Sequence, residues 1–266
     1  MMKSCLLAGL LVSSVAEVAG ESATVVHDAQ VMELRQYKIV PGKRDAFIAT
    51  FERLFVESQE QLGIRLIGQF RDGRDADRFV WLRSFPDMAT REKALNAFYF
   101  GPVWKAHRAE ANPMLDDNDN VLLLRPATAE LAFGPAGSRA KPDPTTTPRG
   151  TLLATIEYLW KEPSEGFTTF FREQMKPAME ASGLKVLAAY VPLDAPNNFP
   201  RLPVRDDRKL FVWFTRASND SALAARLARF HRSSVWRTTI EPQLKQFEER
   251  PPQQLWLEPT PRSALL

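Results

Sequence analysis

The chain is 266 residues long, room for one large domain or two small ones at about 150 residues per domain. Its 44% hydrophobic and 25% charged residues are those of a folded globular chain and exclude a mostly disordered one. One cysteine (Cys5) and three histidines (His27, His107, His231) exclude a cysteine-rich zinc site or a disulfide framework, and a net charge of +3 from 35 basic and 32 acidic side chains gives no polybasic surface for nucleic acid.

Residues 1–20 carry Lys3, an apolar run over 5–12, and small residues at Ser14 and Ala16 or at Val18 and Gly20. That is the pattern of an export signal with two cleavage points. The run is shorter than the roughly 20 residues a membrane span needs, and no later stretch comes close, so no transmembrane segment is expected. A periplasmic or secreted location follows. The alternative is a cytoplasmic protein translated from Met32, at the start of the first predicted strand.

Strand character over 31–39 leads to a turn at Gly42 and a helix over 44–62. There Phe47, Ile48, Phe51, Leu54 and Phe55 share one face, and Gly63 supplies the left-handed stop. Strands at 64–70 and 79–85 flank the polar turn 71–78. Asp87 caps a second helix with Leu95 and Phe98 inward, and 121–125 is the closing strand. Residues 101–111, with Val103, Trp104 and His107, are read as a segment between that helix and the last strand. Residues 127–150, rich in Pro, Gly, Ala and Thr, read as a mobile linker. Beyond it, strands are predicted at 152–160, 184–191, 210–216 and 254–257. Helices are predicted at 167–179 and 219–230, the first ended or kinked by Pro177, which lacks the N–H of the helical ladder.

Phe79-Val80-Trp81 recurs as Phe211-Val212-Trp213 and Val103-Trp104 as Val235-Trp236, both 132 residues on, with Leu95/Leu227 and Phe98/Phe230 in step. Phe47, Phe51 and Gly63 match Phe167, Phe171 and Gly183 at an offset of 120, so the second copy holds about 12 extra residues within 192–208. The reading is two βαββαβ domains, 31–126 and 151–258, joined by the linker. Two helices cover one face of a four-stranded sheet. Phe79, Trp81, Arg83 and Phe85 alternate onto one strand face, and Ala154, Ile156, Tyr158 and Trp160 onto another. Such faces call for covering, so the two sheets are expected to face each other, within one chain or between copies, as an α/β barrel with helices outside.

Glu33-Leu34-Arg35-Gln36-Tyr37, Pro41-Gly42-Lys43, Gly68-Gln69-Phe70, Arg78-Phe79-Val80-Trp81-Leu82 and Gly101-Pro102-Val103-Trp104 together resemble the NIPSNAP family. The resemblance implies an α+β fold of two tandem ferredoxin-like βαββαβ repeats in the dimeric α/β barrel superfamily. It implies no settled activity. Neighbouring families include small-molecule monooxygenases and haem-dependent enzymes, and fold alone does not carry function.

No G-x-G-x-x-G, P-loop, G-x-S-x-G or H-E-x-x-H motif is present. The aromatic strand 209–214 lacks the Gly-aromatic-Gly start of an RNA recognition module, so no nucleic-acid partner is expected. Glu33, Arg35 and Tyr37 alternate onto one strand face, with Met32 and Leu34 expected on the helix side. If the polar face looks into the barrel, Glu33, Arg35, Tyr37, Trp81 and Arg83 form a pocket for an anionic or carbonyl-bearing small molecule. A purely structural ion pair within that set is the competing reading. Arg35, Tyr37 and His107 are the catalytic candidates, His107 also as a haem ligand; no metal or other cofactor is expected. Two functions follow: a self-associating module that binds a small molecule or a protein, or a barrel-pocket enzyme of oxygenase or isomerase type.

Overall fold

In the computed structural model, which describes residues 30–134 and 149–265, the chain alternates strands and helices in two stretches. The first holds β1 (Val31–Ile39), α1 (Arg44–Leu54), α2 (Val56–Glu60), β2 (Arg65–Asp72) and β3 (Arg78–Phe85), followed by α3 (Met88–Tyr99), α4 (Pro102–Ala111), β4 (Leu115–Asp117) and β5 (Val121–Pro126). The second holds β6 (Thr151–Leu159), α5 (Phe167–Phe170), α6 (Lys176–Ala181), β7 (Val186–Pro192), β8 (Leu210–Ala217), α7 (Asp220–Arg232), α8 (Glu241–Phe247) and β9 (Glu248–Pro259). The export-signal segment, Cys5, His27 and residues 135–148 of the expected linker lie outside the described residues.

Local chemistry sets most boundaries. Gly42 and Gly63 take φ of 75° and 83°, the left-handed conformation that ends a strand turn and a helix without steric cost. The Asp87 carboxylate accepts from the Thr90 N–H at 2.6 Å, the cap expected there, and the Asn219 side chain caps α7 in the same way, accepting from the Ala222 N–H at 2.8 Å. Pro177 and Pro242 each follow a π turn, at Phe171–Met175 and Trp236–Ile240. The widened turn accommodates a ring that has no N–H to give and crowds the preceding carbonyl. Two helical elements were not foreseen, nor was the short strand β4. Residues 102–111 form a full helix, started by Pro102 at a position where a missing N–H costs nothing, and Trp236 opens a further helical segment.

Eight strands close into one antiparallel barrel in the order β3-β2-β9-β6-β8-β7-β5-β1, with β1 pairing back onto β3 and β4 appended to β1. Each stretch contributes four strands in ferredoxin-like order. The stretches join edge to edge, β2 to β9 through Phe70↔Pro259 to Asp72↔Leu257 and β5 to β7 through Leu124↔Pro192 to Pro126↔Tyr190. Closure within one chain leaves no open edge between them.

The strand faces depart from expectation. Met32, Leu34, Val80 and Leu82 point into the barrel, where they pack with Leu152, Ala154, Ile156, Val212 and Phe214. Glu33, Arg35, Tyr37, Trp81 and Arg83 point outward instead, beneath the helices. The physical reason is that an eight-stranded barrel is just wide enough to be filled by its own side chains. In the helix layer the charged groups pair with one another and with α2 and α3, Arg83 with Gln59 and Glu33 with Arg91. Phe79, Trp81 and Phe85 are covered by helices and Ala154, Ile156 and Tyr158 by the barrel interior, so these faces need no second chain. Trp160 shares neither environment and is 57% exposed. The start of the expected linker is also packed: Phe133 lies 4.9 Å from Phe214, and its N–H donates to Tyr190 Oη at 3.0 Å.

Candidate functional site

The outward face of β1 and β3 carries a buried charge cluster. Strand pairing sets Glu33 beside Arg83 and Arg35 beside Trp81. Glu33 Oε2 accepts from Arg35 Nη1 at 2.6 Å and from Arg83 Nε at 2.7 Å, while Oε1 accepts from Arg91 Nε of α3 at 2.7 Å. All four side chains are buried. Burial alone would raise the Glu33 carboxyl, but Arg83, Arg35 and Arg91 hold it far below the ordinary carboxylate range. Three guanidinium groups on one carboxylate leave an excess of positive charge under the helix layer. Gln59 of α2 accepts from Arg83 Nη1 at 3.1 Å and donates to the Phe55 carbonyl at 2.7 Å, fixing the cluster from above.

Beside this cluster, between the sheet and α1, α3 and α4, lies a cavity of about 570 Å³. That volume falls in the usual range of about 300–1,000 Å³ for small-molecule sites. Its floor is Tyr37 and Trp81, edge to face with ring centroids 5.8 Å apart. Phe51 closes one side at 5.0 Å from Trp81, and Phe55, Phe98, Tyr99 and Trp104 form the wall, with Trp104 5.0 Å from Tyr99.

Two hydrogen-bond donors sit in the floor. Trp81 is 1% exposed, and its indole Nε1 has no hydrogen-bond partner among the described residues. Tyr37 Oη accepts from Arg35 Nε at 3.0 Å, which leaves the phenol's own proton available. Burial raises the Tyr37 hydroxyl above its ordinary value, so it remains a neutral donor near neutral pH. Lys105, Arg108 and Arg201 line the mouth against one carboxylate, Asp116.

The roof comes from the other stretch of chain. Phe199, Arg201 and Leu202 belong to the insertion between β7 and β8, and they line the cavity. Phe199 stacks 5.6 Å from Tyr99. The insertion is anchored to α3: Arg91 Nη1 donates to Asn198 Oδ1 at 2.6 Å, and Asn198 Nδ2 donates to the Met88 carbonyl at 2.6 Å. The extra residues read from the sequence therefore complete a site built mainly by residues 37–118.

Of the sequence candidates, Tyr37 and Trp81 line the cavity, whereas Glu33, Arg35 and Arg83 lie behind them as a charged support. The expected pocket inside the barrel is replaced by one outside it. His107 does not join the group; it lies on α4, partly exposed, with Nδ1 3.8 Å from Glu110. Sequence reasoning missed Arg91, Trp104 and Phe199. For Trp104 a signal was present in the recurrence of Val-Trp at 103–104 and 235–236. Nothing local marks Arg91 or Phe199, whose roles depend on long-range packing.

Residues 32–129 match the NIPSNAP family model. Across nearly the whole chain the fold is similar to two provisionally assigned monooxygenases. One is from Lactobacillus acidophilus NCFM, with TM-score 0.54, 13% identity and coverage of 87% of this chain and 94% of that one. The other is from Fusobacterium nucleatum subsp. nucleatum ATCC 25586, with TM-score 0.56, 11% identity and coverage of 88% and 93%. An anthrone oxidase-like protein is similar at TM-score 0.54, 10% identity and coverage of 88% and 92%. At such identities the likeness is one of fold. No curated protein matches the sequence.

Proposed function

We propose that this chain, which carries a NIPSNAP domain at residues 32–129, binds a small flat aromatic molecule bearing an anionic or carbonyl oxygen. The binding place is the cavity over Tyr37 and Trp81. The observation that carries this reading is the buried, unpartnered Trp81 Nε1 in an aromatic wall. A buried donor without an acceptor costs about 1–3 kcal/mol, which a ligand oxygen would recover. The aromatic walls offer apolar area, and Lys105, Arg108 and Arg201 favour negative charge at the mouth.

Titration with 1-naphthoate, followed by calorimetry, tests the reading. Saturable binding is expected, with Trp81→Phe weakening it about tenfold in a variant shown by circular dichroism to be folded. Absence of saturation by 1-naphthoate, together with a native mass spectrum free of any bound small molecule, would remove this function.

The paired donors favour a catalytic reading as well. Trp81 Nε1–H and Tyr37 Oη–H both belong to the cavity floor, and donors so placed would stabilise negative charge on a ligand oxygen, as an oxygenase- or isomerase-like step on a phenol or enol requires. The fold neighbours' provisional monooxygenase assignments make dioxygen uptake with phenolic substrates the assay to run. Tyr37→Phe is then expected to lower turnover about 100-fold while binding changes little. Uptake equal to that of buffer alone would leave the binding function only.

A further inference from the structure

The outward face of β6 and β8 holds a second cavity, of about 200 Å³, lined by Glu157, Thr155, Trp213 and Trp236. We propose that it binds a small primary ammonium compound with a flat apolar body, the ammonium group held by Glu157 and Thr155.

Alignment of the two stretches by their offsets shows what is unusual here. Trp213, Phe230 and Trp236 stand 132 residues after Trp81, Phe98 and Trp104, so the aromatic frame of the first cavity is repeated. The charges are not. At the offset of 120, Thr155 takes the place of Arg35 and Glu157 that of Tyr37. At 132, Thr215 and Leu223 take the places of Arg83 and Arg91. Three buried arginines are absent, and a buried carboxyl has appeared.

Glu157 is 2% exposed, and one oxygen, Oε1, accepts from Trp213 Nε1 at 2.8 Å. Among the described residues its other oxygen, Oε2, has no hydrogen-bond partner, and neither has Thr155 Oγ1 two residues away on the same strand face. Both side chains line the cavity. An isolated buried carboxylate is strongly disfavoured unless a cation meets it. Among the described residues the charge acting on Glu157 is that of another carboxylate, Glu248.

The remaining titratable groups around the cavity are His231 on α7, Glu241 and Lys245 on α8, and Glu248 on β9. Lys245 is committed to Glu241 at 2.8 Å. Burial lowers His231, which keeps its imidazole neutral near pH 7, and burial raises Glu248. The cavity is therefore acid-rich, with three carboxyl groups against one lysine, and Glu157 Oε2 and Thr155 Oγ1 are acceptors left unengaged in it. A primary ammonium brings three donors and a positive charge, enough for Glu157 Oε2 and Thr155 Oγ1. Trp213 and Trp236 offer ring faces to a cation or to a flat apolar body. The volume is below the usual range of about 300–1,000 Å³, so the ligand is small. Met175 and Trp236 reach the cavity from the two π turns, a distortion that often accompanies binding sites.

Isothermal titration of the full chain at pH 7.5 with benzylammonium, and with benzyl alcohol as its neutral counterpart, tests the assignment. Benzylammonium is expected to saturate, with benzyl alcohol weaker by about tenfold or more, the worth of one charge-assisted hydrogen bond. Glu157→Gln keeps the size of the side chain and is expected to abolish that preference; Thr155→Val is expected to weaken benzylammonium several-fold. Failure of benzylammonium to saturate, equal binding of the alcohol, or unchanged benzylammonium affinity in folded Glu157→Gln would each overturn the proposal. The amine-against-alcohol comparison needs no variant, so it decides the question even if a substitution impairs folding.

Discussion

Glu33 and Glu157 are both buried carboxyls on the outer face of the barrel, and their surroundings push them in opposite directions. Glu33, held low by three arginines, favours the folded state once ionised. That stabilisation is complete above the ordinary carboxylate value of about 4.3 and drains away as pH falls below it toward the depressed folded value. Replacing Glu33 by Gln strands the three guanidinium groups, and urea unfolding at pH 7 should show a loss of about 3–5 kcal/mol. Burial pushes Glu157 up to about 7. Between the unfolded value, near 4.3, and the folded one, the native state holds a proton that the unfolded chain has released. Stability conferred by the neutral form is therefore full below about pH 4 and falls as pH rises through 7. Glu157→Gln is thus expected to stabilise the protein by about 3 kcal/mol at pH 8 and by little at pH 4, as read from urea unfolding at both pH values. A residue that costs stability and carries an unpartnered oxygen belongs to the class kept for binding rather than for folding.

At the scale of elements, the insertion between β7 and β8 ties the two stretches together over the first cavity. Asn198→Ala removes an acceptor from Arg91 and the anchor to the Met88 carbonyl. It should weaken 1-naphthoate several-fold in calorimetry, while thermal unfolding shifts by only about 1 kcal/mol. The insertion was visible in the sequence as a change of offset, but its destination was not, because spacing reports length and says nothing about where a loop lands. Caps and stops were legible for a different reason. Asp87, Gly42 and Gly63 act on backbone within a few residues of themselves. The strand faces illustrate the limit. Alternation placed Glu33, Arg35 and Tyr37 together correctly, yet which face entered the barrel depended on Arg91, Gln59 and the other strands. Polarity pointed the wrong way, since the helix layer supplied partners for the charges, Gln59 for Arg83 and Arg91 for Glu33, that the apolar barrel interior could not. The aromatic wall was half visible: Trp104 recurred in the sequence, while α4, which carries it, was not foreseen.

At the scale of the molecule, the barrel interior is one apolar core drawing on both stretches, with Leu34 and Leu82 packed among Ala154, Ile156 and Phe214. Neither four-stranded sheet retains that core alone. Unfolding should therefore follow a single cooperative transition in urea, with far-ultraviolet circular dichroism and tryptophan fluorescence coincident; two separated transitions would show that the stretches are independently stable. Among the described residues no helix is long and apolar enough to cross a membrane.

Closure of the barrel within a single polypeptide also has a genetic meaning. In an assembly of two identical copies, any substitution is made twice, and both cavities must tolerate it. Here the codon for Tyr37 and the codon for Glu157 lie in one reading frame and change separately. Each side of the barrel can thus acquire a chemistry of its own without compromise from the other, and the pairing of a cation-supported aromatic cavity with an acid-bearing one is the outcome that such freedom permits.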